Sequence, residues 1–326
     1  MPRFAIAALN QHSFLLFVAI SLVALTLAIQ PSAQADTFGS GANTFTIDFV
    51  SVGNAGNAAD TTGYGAVPYE YRMGTYEISQ DMIDKATASG MANVTAGMWT
   101  GNQPAALISW YEAAAFVNWL NTSSGKTAAY NLTFSGSAWS MNLWSSGQAW
   151  QLGGENLYRN KDAYYFLPSE NEWYKAAYYN PSGTNYFLYP TGSNTAPTPV
   201  ASGTSAGTAV YLGANSSPAI VNSAGGLSPY GTMGQGGNVW DWLETANDGI
   251  NSSPSEDRAL RGGGWGGNAA VLRSDDRDYW EPSDEYNFIG FRVASAVSVP
   301  EPSTYCMAIA GLACGGYLVR RRRKRA

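Results

Sequence analysis

The chain has 326 residues, with 18 Lys and Arg against 24 Asp and Glu, one histidine and two cysteines. His12 lies near the N-terminus, and Cys306 and Cys314 lie near the C-terminus. Residues 36–299 therefore cannot build a Ser-His-Asp or Cys-His nucleophile, an imidazole or thiolate site for zinc, copper or iron, or a disulfide. That body carries 11 basic and 23 acidic residues, a net charge of −12, which argues against nucleic acid and anionic membrane surfaces as partners and is compatible with cations or neutral glycans.

Residues 1–35 combine Arg3, an apolar run over 14–29 and Ala33-Gln34-Ala35. This predicts a secretory signal helix cut before Asp36, since the run is short for a membrane span. Residues 36–65 hold an entry strand, TFTIDFVSV over 44–52, and a Gly/Asn/Ala-rich loop. The alternating stretch 69–78 leads to Ser79, a natural N-cap for a helix over 80–89. Ser109 with Glu112 three residues on reads as a capping box, and Ala115, Phe116, Trp119 and Leu120 then share one helical face. Such spacing favours core packing for Trp110 and Trp119 over a sugar platform. Residues 122–154 are rich in Ser, Gly and Trp and predict a long loop, whose Trp139, Trp144 and Trp150 are candidates for an exposed binding surface.

Ser169 caps a further helix, with Glu172 as its box partner, so capping and the helix dipole account first for Glu170 and Glu172. Two residues apart on a helix, they do not face one another as glycosidase carboxylates must. Residues 180–228 predict an irregular connector with a short strand at 209–212, packed through Tyr186, Phe187 and Tyr189. Residues 228–242 read SPYGTMGQGGNVWDW: four glycines form a tight loop, followed by a short strand with Trp240 on one face and Val239 and Asp241 on the other. Carbonyls exposed beside Asn238 and Asp241 would also suit a hard cation. The stretch 272–278, LRSDDRD, is either a polar pocket floor or a solvated ion-pair network. At the C-terminus, VPEPS over 299–303 precedes an apolar run over 305–319 and six basic residues over 320–325, which predicts a transmembrane helix with the body outside.

Five segments in order resemble the formylglycine-generating enzyme family, also called sulfatase-modifying factors: PAALISWYEAAAFVNWL over 104–120, YFLPSENEWYKAA over 165–177, GNVWDW over 237–242, RGGGW over 261–265 and IGFRV over 289–293. The resemblance implies an α+β fold, the loop-rich formylglycine-generating-enzyme variant of the C-type lectin fold, over residues 66–298. It places calcium on the carbonyls of Gly237 and Val239 and the carboxylate of Asp241, although Gly234 stands where many members have Asp or Asn. It puts a groove beside Trp240, Trp265, Arg273, Asp275 and Arg277. The family's oxidases hold copper on a cysteine pair between the RGGSW-like and GFR segments, and here residues 266–288 contain no cysteine. The iron-dependent members bind through histidines, which the body also lacks. No copper, zinc or iron site is expected, and no catalytic residue.

Residues 299–326 as a unit resemble the PEP-CTERM sorting signal, which implies a Gram-negative bacterium, an exosortase-type processing protease and delivery to the surface or exopolysaccharide matrix. The expected function is therefore an exported, non-catalytic ligand-binding module for extracellular polysaccharide or peptide. The alternative is an enzyme, either a family modifier without the usual residues or a hydrolase using Asp275 or Asp276.

Overall fold

The structure, a computed structural model, describes residues 34–297. The signal helix and the C-terminal transmembrane helix expected from the sequence lie outside the described residues. Among those described, no helix is long and apolar enough to cross a membrane.

β1 (Gln34–Phe38) pairs antiparallel with β2 (Phe45–Val52), and β2 with β3 (Tyr71–Gly74). Along β2, Phe45, Ile47 and Phe49 are buried while Thr46 and Asp48 are exposed. A one-residue slip would reverse that set, so burial fixes the register. The entry strand over 45–52 and residues 36–38 are thus part of the main sheet, residues 53–65 remain irregular as expected, and the expected cleavage position falls within β1.

α1 (Gln80–Ala88) starts at Ser79, whose hydroxyl accepts from the Met82 amide at 3.4 Å. α2 (Trp110–Ser123) opens on the Ser109–Glu112 capping box. The Ser/Gly/Trp-rich stretch after it, expected as a loop, contains hairpin β4 (Asn131–Ser135)–β5 (Ala138–Asn142) and begins a second, β6 (Ala149–Trp150)–β7 (Asn156–Asn160). Cross-strand pairing satisfies its backbone, which a bare excursion of that length would leave to water. β8 (Tyr165–Phe166) leads to α3 (Glu170–Tyr178), capped by the predicted Ser169–Glu172 box.

The connector then contributes the short parallel pair β9 (Thr198–Pro199) and β10 (Thr208–Ala209) and a 3-10 turn over Val221–Ser223. β11 (Trp240–Ala246), β12 (Arg258–Arg261), β13 (Asp278–Trp280) and β14 (Ile289–Phe291) make a four-stranded sheet in the order β13-β12-β11-β14, with β11 and β14 parallel. β15 (Ala294–Ala296) closes the larger sheet, ordered β1-β2-β3-β15-β8.

Helix α2 supplies Trp110, Phe116 and Leu120 to the main core, all 0% exposed, beside Phe49, Tyr165 and Phe291. Each such aliphatic or phenyl side chain contributes roughly 1.5–3 kcal/mol on leaving water. Buried indoles need acceptors. Trp110 Nε1 donates to Leu243 O at 2.8 Å, Trp242 Nε1 to Ile108 O at 3.0 Å, and Trp173 Nε1 to Asp241 Oδ2 at 2.8 Å. These bonds fix α2 and α3 against β11, the strand that continues the glycine motif.

Candidate functional site

The glycine motif turns because two consecutive residues adopt left-handed backbone, Gly237 at φ 90° and Asn238 at φ 64°. At Gly237 a Cβ would lie 2.2 Å from Val210 O, so no side chain fits. Asn tolerates this conformation better than most residues, and its amide is used on both sides. Oδ1 accepts from the Ala219 amide at 2.8 Å, and Nδ2 donates to Glu77 Oε2 at 2.6 Å.

Below the turn lies a buried charged cluster. Arg292 Nε donates to Asp241 Oδ2 at 2.7 Å, and its terminal nitrogens donate to Gly74 O and Met233 O. Glu77 also accepts from the Val239 amide at 3.3 Å. Burial, followed by the Asp241 charge, pushes Glu77 up to about 8. Asp241 is raised as well, by burial, with Arg292 and Trp173 working against the rise.

The same motif and the 261–265 segment are joined by backbone bonds: Gly237 N to Gly262 O at 2.8 Å and Trp265 N to Asn238 O at 2.7 Å. On the other side Trp240 N donates to Phe288 O at 2.9 Å. Between them opens a groove of about 390 Å³, lined by Trp240, Gly264, Trp265, Gly266, Gly267, Asn287 and Phe288. Glycines keep the wall thin: a Cβ at Gly264 would sit 3.4 Å from the Trp240 ring. Trp99 stands perpendicular to Trp265 at 6.3 Å and anchors its own Nε1 on Asn287 O at 2.9 Å. Tyr286 stacks on Phe288 at 5.2 Å. The Trp265 Nε1 is buried and has no acceptor among the described residues.

Of the five groove residues expected, the structure brings Trp240 and Trp265 together and sets the three charged ones elsewhere. Arg273 and Asp275 form an exposed bidentate pair at 2.8 and 2.6 Å, which holds the Asp275 carboxyl below the usual range. Arg277 reaches Glu170 at 3.1 Å and the Asn247 side-chain oxygen at 3.2 Å. Arg261 also donates to Glu170, at 2.8 Å, and to the carbonyls of Ser274 and Asp276. The LRSDDRD segment is therefore an ion-pair network folded over the start of α3, not a pocket floor. Glu170 does more than cap: it is the buried counter-charge for two arginines. The half-buried Trp139, Trp144 and Trp150 each spend their indole N–H on a backbone carbonyl. Trp99, Asn287 and Phe288 were not anticipated. Phe288 directly precedes the recognisable IGFRV, and that adjacency was the only signal.

The calcium implied by the resemblance does not fit these residues. Asp241 Oδ1 is buried without a partner among the described residues, but Oδ2 is shared by Arg292 and Trp173, and a divalent ion on that carboxylate would face a guanidinium in a desolvated interior, where repulsion is strongest. At Gly234, where a ligating side chain is missing, an added Cβ would lie 3.0 Å from the Glu77 carboxylate, which fills the space. Among the described residues no three His, Cys, Asp or Glu side chains converge as metal ligands would.

The profile of the sulfatase-modifying factor enzyme 1-like domain matches residues 38–297, and that of the PEP-CTERM protein-sorting motif matches 298–324. Treponema denticola variable protein 1 is similar in structure, with a TM-score of 0.58 at 20% identity over 82% of this chain and 100% of that one. CarF is similar too, with a TM-score of 0.54 at 20% identity over 77% of this chain and 99% of its own. At these identities the likeness speaks to fold alone. Among curated protein sequences none matches this chain. The sorting motif marks the chain for export and sorting to the Gram-negative cell envelope, with exosortase-type processing and membrane association of the C-terminus. The chain belongs to the sulfatase-modifying factor enzyme 1-like family, in its variant of the C-type lectin fold.

Proposed function

We propose that this is a non-catalytic ligand-binding module of the cell surface or exopolysaccharide matrix, whose Trp240–Trp265 groove takes an apolar side chain of an extended peptide. One observation carries the reading: none of the groove's lining residues is titratable or nucleophilic. Such a surface binds but moves no proton and forms no covalent intermediate. Three aromatic side chains supply apolar area, while the backbone of residues 264–267 and the Asn287 amide supply polar contacts. Neither Asp275 nor Asp276, the acids of the alternative hydrolase reading, lines this groove.

The test is a tryptophan-fluorescence titration of the exported protein with acetyl-Ala-Phe-Ala amide, run beside mass spectrometry of a cysteine peptide incubated with the protein, copper and oxygen. Saturation that is lost in Trp265→Ala, with both peptides unchanged in mass, supports the module. Conversion of the cysteine, cleavage of either peptide, or no saturation overturns it.

A further inference from the structure

A second cleft lies away from the groove, where the β6–β7 turn, residues 66–69, the start of α3 and the loop after β11 meet. Its volume is about 340 Å³, within the range of small-ligand pockets. The floor is Arg159, 1% exposed, which holds two carboxylates at once. Its terminal nitrogens donate to Glu172 at 3.0 and 2.8 Å, and Nε and one terminal nitrogen to Glu244 at 2.9 and 2.8 Å. Tyr69 adds a bond to Glu172 at 2.8 Å and Tyr130 one to Glu244 at 2.9 Å. Burial pulls Glu172 up, but Arg159 and the Ser169 and Tyr69 hydrogen bonds outweigh it, so its carboxyl lies below the usual range. This floor sets two carboxylates against one guanidinium.

The walls combine one aromatic platform with amides. Trp150 stands 5.2 Å from the Arg159 guanidinium and packs edgewise on Tyr69 at 5.5 Å. Its Nε1 donates back to Leu152 O at 2.9 Å, which consumes its only polar atom within its own turn and leaves an apolar ring for a ligand. Leu152 and Ile250 are 57% and 61% exposed at the mouth. Asn251 donates to Asn156 at 2.8 Å, and Asn171 Oδ1 accepts from the Gly65 amide, while its Nδ2 bonds nothing among the described residues. Thr245 Oγ1 accepts from the Glu170 amide, so the Thr245 hydroxyl keeps its own proton for another acceptor.

We infer that this cleft, bounded by Trp150, Leu152, Asn171, Asn251 and the Arg159 floor, binds a neutral oligosaccharide. A sugar ring presents C–H bonds to an indole face and hydroxyls to amides and a threonine. Anionic sugars and phosphates meet a floor with one more carboxylate than guanidinium and the exposed Glu155 at the rim. Cationic ligands find the floor carboxylates fully buried and already paired. The inference is independent of the peptide groove, which shares no lining residue with this cleft.

The experiment is a calorimetric titration of the exported protein with cellotetraose, mannotetraose and, as the anionic comparison, trigalacturonate. The expected result is saturable binding of at least one neutral tetraose and none of trigalacturonate. Trp150→Ala should weaken binding roughly tenfold or more. Because Trp150 also packs on Tyr69, the mouth variant Leu152→Arg provides the second reading and should weaken binding similarly with an unchanged melting curve. Trp265→Ala should bind the tetraose as the parent does. Absence of neutral binding, preference for trigalacturonate, or sensitivity to Trp265→Ala but not to Leu152→Arg would overturn the inference.

Discussion

Arg292 donates its Nε to Asp241 Oδ2 at 2.7 Å with both side chains essentially inaccessible, 0% and 1% exposed. The pair ties the chain just after β14 to the strand that follows the glycine motif. Glu77 lies in the same buried cluster, and the Arg292 charge opposes the rise that burial and Asp241 impose on it. Replacing Arg292 by Met leaves Asp241 buried without its counter-charge, which costs about 3–5 kcal/mol. Asp241→Asn in the same background should recover part of the loss. Urea denaturation of the single and double variants checks both values. A loss under 1 kcal/mol for Arg292→Met would mean that the cluster is hydrated.

Glu77 gives the protein a pH dependence of defined sign. Its folded value, about 8, lies above the ordinary 4.5, first through burial and then through Asp241. Between those values the folded chain keeps a proton that the unfolded chain has released. The stability it contributes is therefore present in acid and is lost as pH rises through about 8. Asp241 and Glu244, both raised chiefly by burial, act in the same direction. Unfolding free energy should fall from pH 6 to pH 8.5 with a slope of up to about 1.4 kcal/mol per unit. Glu77→Gln should flatten it. A parent protein that gains stability over this interval would contradict the assignment.

What was legible in the sequence divides by distance along the chain. The Ser109–Glu112 and Ser169–Glu172 boxes were readable because both partners sit within one helical turn. The strand over 44–52 was readable for the same local reason, but which of its faces is buried, that of Phe45, Ile47 and Phe49, was set only by packing. Arg159 was not identified, because its partner Glu244 lies 85 residues away and no periodicity links them. Arg277 and Glu170 are 107 residues apart, so the charges of 272–278 were assigned to the groove by their place in the family's order, when topology carries them to α3. Trp240 and Trp265 were found because each stands in a motif of the family. Trp99, which completes that aromatic wall, has no such marker.

Backbone geometry makes Gly237 irreplaceable. It combines φ 90° with a Cβ position 2.2 Å from Val210 O, and that neighbour is main chain, which cannot rotate away. Gly237→Ala should cost at least about 2 kcal/mol, from left-handed strain plus displacement of the 208–211 segment. Gly266 is the control, since nothing lies within 4 Å of its Cβ position. Gly266→Ala should stay within about 0.5 kcal/mol of the parent. Thermal melts of the two alanine variants, side by side, check the contrast, and equal stabilities would refute it.

Calcium should not alter the stability of the domain. An ion that binds only the folded state raises stability by RT ln(1 + [L]/Kd), about 2.7 kcal/mol at a hundred times Kd. Asp241 already has Arg292 at 2.7 Å, and the Gly234 position is filled by the Glu77 carboxylate. The cluster has its positive charge from the chain itself. Melting temperatures in EDTA and in millimolar calcium should therefore coincide. In Arg292→Met the two acids lose that charge, and a calcium-dependent rise confined to this variant would show the guanidinium doing an ion's work. A rise of several degrees in the parent would instead place calcium on the carbonyls of Gly237 and Val239 despite the arginine.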